Sequence, residues 1–281
     1  TWQSAGNITI NGGTLNIDSS DDAVHCGGDM NIVGGVFTVA SADDGFHSDH
    51  TLNIGTANAG TFDDVQIYIS KCYEGVEAPT INQNSGTVYV VSEDDGYNAG
   101  GGADGSGTGG FGGPGSGWGQ GTTSSSTSIV MNLNGGLVVV NSANGDHDAF
   151  DSNGDIIING GYYCANGQEP LDCGDSGNTI SLNGGSVITM TAGNTSLTTR
   201  YTFVDGNGNA VVSFLSGSGG GLRSGSTGSA QSGGNVSGGT EILAQAGDKT
   251  VTVGGSISGG QALGQANESG GPGQGGPGTR W

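Results

Sequence analysis

The chain has 281 residues, of which 62 are Gly and 5 Pro, a share of helix breakers that excludes a helix bundle. Acids outnumber bases 26 to 5 for a formal charge of -21, so neither nucleic acid nor anionic lipid is an expected partner, since both need a basic face. No stretch reaches the roughly 20 apolar residues of a membrane span, and at 32% hydrophobic content any core must be thin and regularly patterned. The opening Thr1, without Met or a charged-then-apolar leader, reads as a processed, secreted, extracellular chain.

In chain order, an Asn-Gly-Gly-like corner recurs with its second glycine at Gly13, Gly35, Gly86, Gly136, Gly161 and Gly185, at intervals of 22, 51, 50, 25 and 24 residues. The long intervals must hold an extra rung or an insertion. Around each corner apolar residues alternate, as in Ile8, Ile10, Leu15 and Ile17, then Met30, Ile32, Phe37 and Val39, the pattern of half-buried strands on both sides of a turn. A third apolar position at Val24, Phe46 and Tyr97 supplies a short third strand. Three strands and three corners in about 22 residues predict the rung of an all-β parallel β-helix, right-handed by the crossover preference. An antiparallel sandwich is the alternative, but it would not keep one motif in fixed register.

A second motif lies in step with the first: an acid, a small residue, an apolar residue, then a polar one. Its copies are Asp22-Ala23-Val24-His25, Asp44-Gly45-Phe46-His47, Glu74-Gly75-Val76-Glu77, Asp95-Gly96-Tyr97-Asn98, Asp148-Ala149-Phe150-Asp151 and Glu169-Pro170-Leu171-Asp172, with further acids at Asp21, Asp43 and Asp94. Carboxylates stacked about 4.8 Å apart repel by about 1 kcal/mol per pair in water and more when shielded from it, so they must be protonated, capped by corner amides or bridged by cations. Calcium suits the last option, because two carboxylates one rung apart can share its oxygen shell. The competing readings are corner capping by short polar side chains and, at His25 and His47 with Asp22 and Asp44, a transition-metal site.

The Asp-Asp-Gly/Ala-apolar repeats, the Ile-x-Ile-Asn-Gly-Gly corners, Tyr73-Glu74-Gly75-Val76-Glu77 and Asp94-Asp95-Gly96-Tyr97-Asn98-Ala99-Gly100-Gly101 resemble a secreted bacterial carbohydrate-binding domain family with a pectate-lyase-like right-handed β-helix. The resemblance covers about residues 5–215, with a weaker echo in 240–258. It implies calcium held by corner acids, here Asp21, Asp22, Asp43, Asp44, Glu74, Glu77, Asp94, Asp95, Asp148 and Asp151, and binding of cellulose or acidic pectin-like polysaccharide without hydrolysis. His25 and His47 depart from the family pattern, which more often has Asp there.

The corresponding organisation is a β-helix over 1–215 with a glycine-rich loop at 99–128, a Gly/Ser-rich insertion at 216–239, strands closing the coil at 240–258 and a Gly/Pro-rich tail at 259–281. Candidate aromatic platforms for sugar rings are Trp118, Phe111 and Tyr73, with Tyr68, Tyr162 and Tyr201 as further candidates; Tyr97 and Tyr163 fall in core register. A calcium-dependent polysaccharide lyase is the enzymatic alternative, and its weakness is the scarcity of bases, only Lys71, Arg200, Arg223, Lys249 and Arg280. A filament or surface-layer subunit stacking through the ends of its coil, with Trp2 and Trp281 at the termini, is the structural alternative. Cys164 and Cys173, eight residues apart, are expected to form a disulfide in an oxidising compartment, with thiols as the alternative, and the pairing of Cys26 and Cys72 is left open.

Overall fold

The computed structural model describes residues 1–58, 62–100, 128–142, 147–167, 169–173 and 178–190, together with strands between 197 and 265. Three walls of seven parallel strands form a β-helix. The first wall contains β1 (Trp2–Ser4), β4 (Val24–Cys26), β7 (Phe46–Ser48), β10 (Val76–Glu77), β13 (Tyr97–Ala99), β16 (Asp148–Ser152) and β19 (Glu169–Asp172). The second contains β2 (Ile8–Ile10), β5 (Met30–Ile32), β8 (Thr51–Ile54), β11 (Thr80–Gln83), β14 (Val130–Leu133), β17 (Asp155–Ile158) and β20 (Thr179–Leu182). The third contains β3 (Thr14–Asp18), β6 (Gly35–Ala40), β9 (Val65–Lys71), β12 (Thr87–Ser92), β15 (Leu137–Ser142), β18 (Tyr162–Asn166) and β21 (Ser186–Met190).

The corner glycines make the turn from second to third wall possible. Gly13, Gly35, Gly86, Gly136, Gly161 and Gly185 all have positive φ, a region that costs other residues strain. The same is true of Gly55, at φ 76°, whose corner Ile54-Gly55-Thr56 carries no Asn-Gly-Gly signal. That unmarked corner belongs to the extra rung hidden in the first long interval. Across the second long interval the flanking rungs pair directly, β11 with β14, β12 with β15 and β13 with β16, so among the described residues no additional rung is stacked there.

Between the walls the alternating residues stack by type. Ile8, Met30, Leu52, Ile81, Met131, Ile156 and Ile180 form one inward column in register, and Val24, Phe46, Val76, Tyr97, Phe150 and Leu171 another, nearly all fully buried. A rung buries little alone, so the core exists only through stacking. Gln83 takes an apolar position in the column of Ile54 and Leu133; its amide accepts from the Tyr97 hydroxyl at 2.8 Å and donates to Ser85 O at 2.6 Å, which satisfies it inside the coil.

On the outer face of the second wall asparagines form a ladder. Asn53 donates to Asn31, Asn82 to Asn53 and Asn132 to Asn82 at 2.8–2.9 Å, each amide paired with its copy one rung away. A second ladder joins the corner residues Asn84, Asn134, Asn159 and Asn183.

Three expectations change. The Cys164–Cys173 disulfide is not formed, and both residues are buried thiols. Cys164 shares the outward register of Tyr89 and Val139 on the third wall, whereas Cys173 follows β19 and belongs to the interior, so the wall separates them. Within the stretch read as coil, β22 (Leu197–Val204) and β23 (Ala210–Gly217) pair as an antiparallel hairpin. Within the stretch read as closing strands, β24 (Lys249–Thr252) adds to β22 in that small separate sheet, and the strand that lies antiparallel against β20 is β25 (Gln261–Gln265), from the stretch read as a tail.

Candidate functional site: an acid ladder on the first wall

The motif of acid, small, apolar and polar residues stacks in register from rung to rung. Its fourth position forms the column Gln3, His25, His47, Glu77, Asn98, Asp151 and Asp172 along the first wall. Its first position forms a neighbouring column at the corner, where Gly45 N–H donates to Glu74 O, Gly75 N–H to Asp95 O and Gly96 N–H to Asp148 O. The residue between must be small because the rungs press together there: a Cβ on Gly45 would lie 2.5 Å from Gly75 O.

The corner carboxylates are buried, with Asp22 fully so and Asp44, Glu74 and Asp95 nearly so. Part of their charge is met by backbone. Asp22 Oδ1 accepts from Asp44 N–H at 3.2 Å, Asp44 Oδ1 from Glu74 N–H at 3.3 Å, and Asp95 Oδ1 from Asp148 N–H at 2.8 Å. Corner capping is thus real, yet it uses one oxygen of each of these carboxylates. Burial first, and then the neighbouring Asp44 and Asp95, hold the Glu74 carboxyl well above the usual range. Burial first, and then Asp151 and Asp94, do the same to Asp95.

Among the described residues, four sets of side chains bring ligand atoms within 4.8 Å of one another and could hold a metal ion: Asp21, Asp22 and Asp43; Asp22, His25 and His47; Asp44, His47 and Glu77; and Asp148, Asp151 and Asp172. Seven of the ten expected metal acids therefore converge. Glu74, Asp94 and Asp95 join none of these sets among the described residues; Glu74 accepts from Asn98 Nδ2 at 3.0 Å, and Asp94 meets His147 Nδ1 at 2.5 Å. The Asp148 set offers only oxygen, and in the same column the buried Asn98 Oδ1 has no hydrogen-bond partner, an orphaned carbonyl of the kind calcium accepts. This end of the ladder presents an oxygen-only donor set that could hold a metal ion.

Sequence reasoning put Asp172 in the motif but not among the ligands, and it passed over Asp49, whose Oδ1 lies 2.9 Å from His25 Nε2. Asp49 lies two residues beyond His47, where β7 has ended, and only its position behind both imidazoles marks it.

Of the expected aromatic platforms, Tyr73 is half-buried and sits in the outer acid column, its backbone hydrogen-bonded to Asp43 on one side and Asp94 on the other. Phe111 and Trp118 lie outside the described residues. Tyr97 and Tyr163 are core, as their register predicts. Tyr68 is 42% exposed on the outer face of the third wall and pairs in register with Tyr89 on the next rung, so two tyrosines stand one strand spacing apart on that face.

Residues 1–45 match the family model described as carbohydrate-binding domain-containing protein, and this match supports carbohydrate binding. No curated protein and no solved structure matches the chain.

Proposed function

We propose that this chain is an extracellular, non-catalytic module that binds polysaccharide with the help of calcium held in its acid ladder. The observation that carries the reading is a coincidence of position: the segment that matches the carbohydrate-binding family, residues 1–45, contains the first two double-acid corners, Asp21-Asp22 and Asp43-Asp44. A chain at -21 repels an acidic glycan unless cations intervene, so calcium at the ladder supplies both rung cohesion and a bridge to uronate carboxylates. The oxygen-only set at Asp148, Asp151 and Asp172 is its seat. Tyr73 at the ladder's rim and the Tyr68–Tyr89 pair offer apolar ring faces on which pyranose rings stack.

Retention of the purified chain on insoluble cellulose and on cross-linked polygalacturonate, each with calcium and with chelator, tests this. Calcium-dependent retention on the acidic matrix is expected, weakened by Tyr68→Ala with no change in the melt. Equal passage through both matrices in the presence of calcium contradicts the polysaccharide reading. In that event the filament reading gains weight, because among the described residues β1, β2 and β3 have no strand on their outer edge and Trp2 is 44% exposed there.

A further inference from the structure

The two histidine-bearing rungs differ chemically from the rest of the ladder. His25 and His47 are stacked in register with ring centroids 4.5 Å apart, and both are buried. Their Nδ1 atoms face the corner carboxylates. His25 Nδ1 lies 3.4 Å from Asp22 Oδ2, and His47 Nδ1 lies 3.2 Å from Asp44 Oδ2, 3.2 Å from Glu77 Oε2 and 3.9 Å from Asp22 Oδ2. Their Nε2 atoms both face Asp49, at 2.9 Å from His25 and 3.6 Å from His47.

We infer that Asp22, His25 and His47, with Asp44 and Glu77 beside His47, form a binding site for one transition-metal ion of the zinc class, with Asp49 orienting the His25 imidazole from behind. Three observations converge on it. The donor set mixes imidazole nitrogen with carboxylate oxygen, a combination that suits zinc, cobalt or nickel and is foreign to calcium, which takes oxygen. Three of the four Nδ1–carboxylate separations, 3.2–3.4 Å, match tetrahedral geometry, in which donors held 2.0–2.1 Å from an ion lie about 3.3 Å apart; the fourth, His47 Nδ1 to Asp22 Oδ2, is 3.9 Å. The third is His25 itself, whose side chain is nine-tenths buried and whose Nδ1 points at Asp22 without a hydrogen-bond partner.

Asp49 explains the orientation of His25, whose Nε2 lies 2.9 Å from its Oδ1. A carboxylate bonded to Nε2 places the ring proton there and leaves the Nδ1 lone pair for a metal, the arrangement in which metal-ligating histidines are usually found. Because the two candidate triads share His47, whose Nδ1 serves one ion at a time, the stoichiometry is one. The site does not depend on glycan binding, and its test makes no use of a polysaccharide.

The chelator-treated full chain is titrated with Co²⁺ and followed by its visible d–d absorption, with folding monitored by circular dichroism. One equivalent is expected to bind, to resist an excess of Ca²⁺ and to be displaced by Zn²⁺. His25→Asn and His47→Asn should abolish the band, and Asp49→Asn should weaken affinity roughly 10- to 100-fold while leaving the band's shape, as for a residue that acts through the ligands. A folded wild-type chain without the band, a band that Ca²⁺ removes, or a band that survives both histidine substitutions overturns the proposal. X-ray absorption of the zinc-loaded wild-type chain decides the same question with no variant: scattering from two imidazoles is expected, and an oxygen-only shell contradicts it.

Discussion

The two ends of the ladder are built on one backbone plan and present different chemistry. In the lower rungs the outward column reads His25, His47 and Glu77; in the upper rungs it reads Asn98, Asp151 and Asp172, in the same register and beside the same corner column. The coil fixes donor spacing through strand separation, and one side chain per rung then decides whether the donors are nitrogen or oxygen. Stacking turns a change at one position into a change of donor type without moving the backbone. At the seam sit Glu74 and Asp95, both buried and both held well above the usual carboxylate range, with Asn98 donating to Glu74.

The largest effects come from the core beneath each end. Phe46 lies next to His47 and packs edge-on against Phe37 at 5.6 Å, while Phe150 lies next to Asp151 against Tyr97 at 5.3 Å and Tyr163 at 6.1 Å. Both are fully buried, so Phe46→Ala and Phe150→Ala should each cost about 3 to 5 kcal/mol in urea unfolding. The comparison sharpens if the first variant weakens Co²⁺ binding more than calcium binding and the second does the reverse. It breaks if both lose both metals equally.

The seam predicts a pH dependence. Because burial and neighbouring acids raise the folded-state values of Glu74 and Asp95, their protonated forms are favoured in the fold. Their contribution is fully present below about pH 4, near the unfolded carboxylate range, and is lost as pH rises through the raised values. In chelator the melting temperature should therefore fall over the interval above the ordinary carboxylate range, and saturating calcium should flatten the slope. A melt in chelator that rises over this interval contradicts the seam's charge balance.

The smallest effect lies away from both ends. Asn132→Ala removes the bond to Asn82 on the second wall and should cost about 1 kcal/mol, with no change in the affinity of either metal. A change in metal affinity would show that the walls are coupled across the core.

Much of this was legible in the sequence because a coil repeats its local chemistry. The six Asn-Gly-Gly-like corners supplied the second glycines that adopt positive φ, and the motif of acid, small, apolar and polar residues predicted the first-wall register residue by residue. The rung of β8 and β9 was legible only as an extra rung or an insertion, because its corner has Ile before Gly55 and no second glycine, so the conformation was present without its signature. Spacing along the chain also suggested a Cys164–Cys173 bridge, whereas position across the wall forbids it: alternation puts one residue outside and the other in the core. Asp49 and the Tyr68–Tyr89 pair could not be read in advance, because each acquires its role only from what lies one rung away.

The central claim, that the oxygen end of the ladder seats calcium, is tested most directly by the melting temperature of the chelator-treated chain as calcium is added, in the wild type and in Asp151→Asn. The account predicts a saturable rise in the wild type and a much smaller rise in the variant, since Asp151 belongs to the converging set with Asp148 and Asp172. A wild-type melt that calcium leaves unchanged, or a rise of equal size in both chains, would contradict it.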